Sequence, residues 1–149
     1  MGDVLSWNEV HDLWVLLRRT GHIAQKVRDR ELSQCGLSAV RSAVLSLVHD
    51  LKGKATPAEI ARQLLREDHS ISYLLSKMAE EGILKKTEDP DRKNMVRIAL
   101  TKKGRTLRKR SIDNRENLIK MISVLSEEEC RQMKMYLQRI QDCAAKILG

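Results

Sequence analysis

The chain has 149 residues, 42% of them apolar, a formal net charge of +8 and a pI near 9.6. That length predicts one domain with a real core. No apolar run approaches a membrane span, and no basic start with an apolar run and cleavage site opens the chain. Three cysteines, Cys35, Cys130 and Cys143, without a C-x-x-C pair argue against a secreted disulfide framework, so a soluble, cytoplasmic protein is expected.

Residues 6–32 read as a first helix, because Trp7, Val10, Trp14, Leu17, Ala24 and Val27 recur at mostly helical spacing. Gly21 weakens it locally and Cys35-Gly36 breaks it. Ser38 is the expected N-cap of a second helix with Val40, Val44, Val48 and Leu51 on one stripe, closed by Gly53. Thr56-Pro57-Ala58-Glu59 starts a third. There Thr56 caps, Pro57 suits a position with no N–H to lose, and Glu59 completes a capping box. Ile60, Ala61, Leu64 and Leu65 are expected to face inward. In the fourth helix Ile71, Leu74, Leu75 and Met78 fall at i, i+3, i+4 and i+7, with Gly82 as the stop. Its other side holds His69, Tyr73, Ser76 and Glu80, flanked by Ser72 and Lys77.

Two short strands follow, residues 83–86 and 95–100, around the turn Asp89-Pro90-Asp91-Arg92-Lys93-Asn94. Thr101-Lys102-Lys103-Gly104 opens a basic helix with Arg105, Arg108, Lys109 and Arg110. It is expected to run on through Leu107, Leu118, Met121, Ile122 and Leu125. Ser126-Glu127-Glu128-Glu129 is a capping box for the last helix, whose stripe is Cys130, Met133, Leu137, Ile140, Ala144 and Ile147.

The predicted fold is mainly α with a small β-hairpin (α+β), a winged helix-turn-helix. The lobe is placed at residues 37–104, between helical regions 1–35 and 105–149. The charge divides the same way. Residues 1–51 carry 6 Lys+Arg and 6 Asp+Glu, residues 111–149 the same, and residues 52–110 carry 16 and 8, so the whole +8 sits in the middle. A concentrated basic block is the footprint of a nucleic-acid binder. A merely basic solvated surface gives the same count, and the helix–hairpin pattern in that block argues against it. The long apolar stripes of the neutral ends exceed what a small lobe needs and predict a symmetric homodimer.

The stretch 56–104 resembles the MarR family of winged helix-turn-helix transcription regulators. The carriers are the Thr-Pro-x-Glu-Ile-Ala start at Thr56, His-Ser-Ile-Ser-x-Leu-Leu at His69, Glu-Gly-Ile-Leu at Glu81, and Leu100-Thr101-Lys102-Lys103-Gly104. The resemblance implies a dimer with two winged-helix lobes on a short pseudo-palindrome of double-stranded DNA, usually repressing nearby genes. It also implies release by a small molecule, frequently phenolic or anionic, or by cysteine oxidation. One motif departs. The family's wing usually carries Asp-Arg-Arg, and the ungapped counterpart here is Arg92-Lys93-Asn94.

On this reading Ser70, Ser72, Tyr73, Ser76 and Lys77 form the major-groove set, since short hydroxyls and one tyrosine suit close approach to base edges and phosphates. Arg92 and Lys93 are minor-groove or phosphate ligands, and Arg97 braces the wing or meets a phosphate. Lys102, Lys103 and Arg105 reach flanking phosphates or form a basic helix face. Trp7 and Trp14 are read as packing residues rather than ligand-stacking ones, and His11 and His22 as ordinary histidines rather than lining an effector cleft. Cys130 and Cys143 are expected to be buried, leaving Cys35 as the candidate redox sensor. No metal or cofactor is expected. With no nucleophile–base pair and no phosphate-cradling glycine loop, an enzyme is not expected either. The competing readings are a winged-helix module that holds a protein partner and a cysteine-based redox regulator.

Overall fold

The computed structural model describes residues 4–149. Helix α1 (Trp7–Ser33) starts at a capping box, with the Ser6 hydroxyl accepting from the Glu9 amide and the Glu9 carboxylate accepting from the Ser6 amide. Helices α2 (Ala39–Asp50) and α3 (Pro57–Gln63) are capped by Ser38 and Thr56. Helix α4 spans Asp68–Glu80. Strands β1 (Leu84–Glu88) and β2 (Val96–Leu100) pair antiparallel, Leu84 opposite Leu100 and Glu88 opposite Val96. Helices α5 (Lys102–Asp113), α6 (Glu116–Ile122) and α7 (Glu127–Leu148) complete the described chain.

The chain divides into two compact units, Met1–Arg115 and Glu116–Gly149. The core of the first is built from Leu32 of α1, Val44, Leu45 and Val48 of α2, Ile60 of α3, Ile71, Leu75 and Met78 of α4, and Ile98 of β2. Burying each such side chain contributes about 1.5–3 kcal/mol. Gly82 ends α4 at φ +73°, which lets the Ile83 amide reach back to the Met78 carbonyl (2.9 Å) and points the chain into β1. In the second unit Ser126 and Glu129 form the expected capping box of α7.

Four local expectations are corrected. The Glu59 carboxylate does not close a capping box; it accepts from Arg62 and Gln63, one turn further along the same helix. Leu65 does not face inward. It sits at φ +52° and is 71% exposed, because the α3–α4 turn reverses the chain there. The helix that begins at Lys102 stops at Asp113, and a second begins at Glu116. Asn114 leaves the helical region (φ −92°, ψ 74°) and returns its side-chain amide to the Arg110 carbonyl. Finally, Cys143 is exposed and Cys130 half-buried, because the stripe of α7 lies open in a single chain.

Candidate nucleic-acid interface

Helix α4 turns Ile71, Leu75 and Met78 into the core, and this sets the opposite face outward. Ser70, Ser72, Tyr73 and Lys77 are exposed there, Tyr73 to 67%, while Ser76 is half-buried. The Lys77 ammonium lies 5.7 Å from the centre of the Tyr73 ring and 3.7 Å from the Glu80 carboxylate. It therefore leans along the helix and lends positive charge to the tyrosine face. Ser76 accepts from the Lys86 ammonium of β1 at 2.9 Å. The sequence reading missed Lys86. Its signal was an outward lysine on a strand directly after the helix, which becomes meaningful only once the strand is seen to return beside α4.

The hairpin tip is ordered by one carboxylate. Asp89 accepts from the Asp91 amide (2.8 Å) and from Arg97 Nε (2.9 Å). These bonds, the Asp91 amide first and the Arg97 guanidinium second, hold its carboxyl below the usual aspartate range. Arg97 also donates to the Gly53 carbonyl at 3.2 Å, so it ties the wing to the α2–α3 link. Asn94, at φ +70°, closes the turn. Arg92 and Lys93 stand exposed at the tip, and the Arg92 guanidinium lies 3.7 Å from the Met95 sulfur. The structure thus gives Arg97 a bracing position and leaves Arg92 and Lys93 outward.

Two of the three basic residues at the start of α5 serve the fold. Lys103 donates to the Glu81 carbonyl at the end of α4 (2.9 Å), and Arg105 to the Leu100 carbonyl (3.2 Å). Lys102 is exposed. On α1, Trp7 and Trp14 are 73% and 56% exposed. Their rings flank His11 at 5.6 and 6.1 Å, and Arg18 covers Trp14 at 5.5 Å. His22 is exposed and Cys35 packs against the edge of the core. A shallow groove of about 260 Å³ runs between Gln25 of α1, Ala39, Val40 and Ala43 of α2, and Leu64 and Arg66 of the α3–α4 turn. Among the described residues no three His, Cys, Asp or Glu side chains gather as a metal site, and no helix is long and apolar enough to cross a membrane.

Residues 37–104 match the family model of a winged helix DNA-binding domain. Over 129 residues, 86% of this chain and 88% of the relative, the sequence is 27% identical to the HTH-type transcriptional regulator MhqR of Bacillus subtilis. The chain is also similar to the organohalide-sensing transcriptional regulator RdhR in its 2,4-dichlorophenol-bound form. That pair is 28% identical with a TM-score of 0.79, covering 95% of this chain and 87% of the other. The chain carries a winged helix DNA-binding domain and is similar to MarR-family regulators along most of its length. It is a DNA-binding transcription regulator. A MarR mutant from E. coli complexed with operator DNA superposes with a TM-score of 0.81 over 93% of this chain and 99% of its own. At 18% identity that likeness is one of fold. Within the MarR family fold, α3 and α4 are the helix-turn-helix and β1–β2 the wing. The block holding the net positive charge is the one that carries both.

Proposed function

We propose that the protein is a homodimeric, cytoplasmic repressor that binds a pseudo-palindromic operator. Each α4 enters a major groove, with half-site centres roughly 10 bp apart. Ser70, Ser72, Tyr73, Ser76 and Lys77 meet bases and phosphates, while Arg92 and Lys93 enter or flank the minor groove. Arg97 holds the wing in place through Asp89 and the Gly53 carbonyl. The observation that carries this reading is the exposed, hydroxyl-rich face of α4 beside an outward basic tip, in the segment with all the net charge. The open apolar faces of α1 and α7 support the dimer.

A small-molecule effector fits the reading. The MarR-fold regulator bound to 2,4-dichlorophenol supplies the class, and the groove beside the α3–α4 turn is where an apolar ring would press on the helix-turn-helix. Fluorescence anisotropy tests the core of the proposal. The dimer is expected to prefer the duplex upstream of its own gene over random duplex by at least about 10³-fold at physiological salt. Equal binding to both duplexes refutes it.

A further inference from the structure

One polar cluster in the first unit lies away from the groove-facing surface. Arg28, Glu31, Ser42 and Ser111 meet where α1, α2 and α5 pack, and Ser111 is only 2% exposed. The Ser42 and Ser111 hydroxyls hydrogen-bond to each other. Arg28 enters from α1 as a fork. Its Nη1 donates to the Asn114 carbonyl (2.5 Å) and the Glu31 carboxylate (2.8 Å), and its Nη2 donates to the Ser111 carbonyl (2.9 Å). The Ser111 carbonyl lies in the last turn of α5 and the Asn114 carbonyl just beyond it, where the hydrogen-bond ladder of α5 has ended. A planar guanidinium matches two acceptors at once and meets the negative end of the helix dipole.

The position of this fork matters more than its strength. It grips α5 where Asn114 breaks the helix. On the neighbouring residue of α1, the Asp29 carboxylate accepts from the Ala39 amide (2.6 Å) at the start of α2. Leu32, one turn on, is fully buried in the core. The last turns of α1 are therefore bonded to the first turn of α2 and the last turn of α5. The first turns of α1, with Trp7 and Trp14, stand free of the lobe.

We propose that Arg28 is a positioning residue for operator recognition. It fixes the angle between the exposed, dimer-forming half of α1 and the winged-helix lobe, and so sets the half-site separation the dimer accepts. The inference rests on the reading of a homodimer on a two-part operator. From Arg28 back to Trp7 the helix is about 30 Å long at 1.5 Å per residue. Rocking the lobe by about 10° at the fork displaces it by about 5 Å relative to the far end of α1, more than one 3.4 Å base step. A fork bonded to two carbonyls resists that rocking, and a single-point ammonium resists it less. Arg28 faces α5 and not the groove-facing side of α4, so its loss leaves the phosphate contacts unchanged in number.

The test uses the full chain and an operator selected from random duplexes by the wild-type protein. Duplexes with the native spacing and with one or two base pairs inserted or removed between half-sites are titrated with wild type, Arg28→Ala and Arg28→Lys. Wild type is expected to lose roughly 10–100-fold per inserted base pair. Arg28→Ala should lose less than about 3-fold on the same insertion, Arg28→Lys an intermediate amount, and all three should share one salt slope. Sedimentation and thermal melts identify folded dimers, and if Arg28→Ala is not folded, Arg28→Lys decides. A folded variant with the wild-type spacing penalties overturns the proposal. A wild-type protein that selects no two-part site overturns the operator reading itself, a result distinct from matching spacing profiles.

Discussion

Gly104, at the joint between the wing and α5, has no room for a side chain. A Cβ there would stand 2.2 Å from the Ile83 carbonyl oxygen and 3.3 Å from its carbon. That oxygen cannot simply turn aside, because it accepts from the Thr101 amide (3.2 Å) and the Thr101 hydroxyl (2.9 Å). Relieving the clash takes a backbone shift of about 1 Å. Overpacking of this kind costs about 1–3 kcal/mol. Disturbing the Thr101 cap, which accepts from the Gly104 amide (3.0 Å), adds about 1 kcal/mol. Alanine's better helix propensity returns about 1 kcal/mol. Gly104→Ala is therefore expected to destabilise by about 1–3 kcal/mol, a fall of roughly 2–4 °C in Tm per kcal/mol. Gly21, inside α1 with nothing within 4 Å of its virtual Cβ, is the control. Gly21→Ala should stabilise by about 0.5–1 kcal/mol. Urea melts followed by circular dichroism, at one fixed protein concentration so that self-association weighs equally on each variant, read both. If Gly104→Ala melts at or above wild type, the close approach of α5 to Ile83 is wrong.

Leu65 keeps a positive φ with its side chain in solvent, so Leu65→Gly should raise stability by about 0.5–1 kcal/mol and Leu65→Val lower it; urea melts that order them the other way would contradict the strain. Arg92→Ala should weaken binding to many duplexes alike and reduce the salt slope by about 1.8 per dimer, if each copy meets one phosphate. Ser72→Ala and Tyr73→Ala should instead change which sequence is preferred, as read by selection from random duplexes. The Glu59 carboxyl is lowered from 4.5 to about 2, first by its hydrogen bond from Arg62 and then by that from Gln63. A lowered carboxyl favours the fold when ionised, so the contribution is complete above about pH 4.5 and fades as the pH falls toward 2. The stability gap between wild type and Glu59→Gln should be constant above pH 5 and shrink below it, and a gap unchanged at pH 3 would falsify the pairing.

The elements of the lobe were legible because their signals are local. Thr56-Pro57, the spacing of Ile71, Leu75 and Met78, and Gly82 each act within a turn or two of chain. What escaped acts over distance. The stop at Asn114 is held by Arg28, 86 residues earlier, and no periodicity records that partnership. Glu59 had two local choices, the Thr56 amide behind it or Arg62 and Gln63 ahead, and the charged hydrogen bond with the guanidinium prevails. Leu65 followed an apolar pattern that the turn overrode. At the interface, the outward set on α4 was readable from one helix alone, whereas the Lys86–Ser76 bond and the brace from Arg97 to Asp89 require the hairpin to be folded back beside it.

Strand β2 is not tied to β1 alone. The Ile98 amide donates to the Ala55 carbonyl at 2.8 Å, which lends the two-stranded ribbon a third backbone partner in the link before α3. A lone hairpin is marginal in water, so this bond makes the base of the wing part of the body of the lobe. The base and the tip are thereby separable in evolution. Residues 90–94 can lengthen, shorten or exchange their charges without loosening the core beneath them. A regulator built this way can change the charge of its tip while keeping its fold, and the exposed pair Arg92 and Lys93 is one such setting.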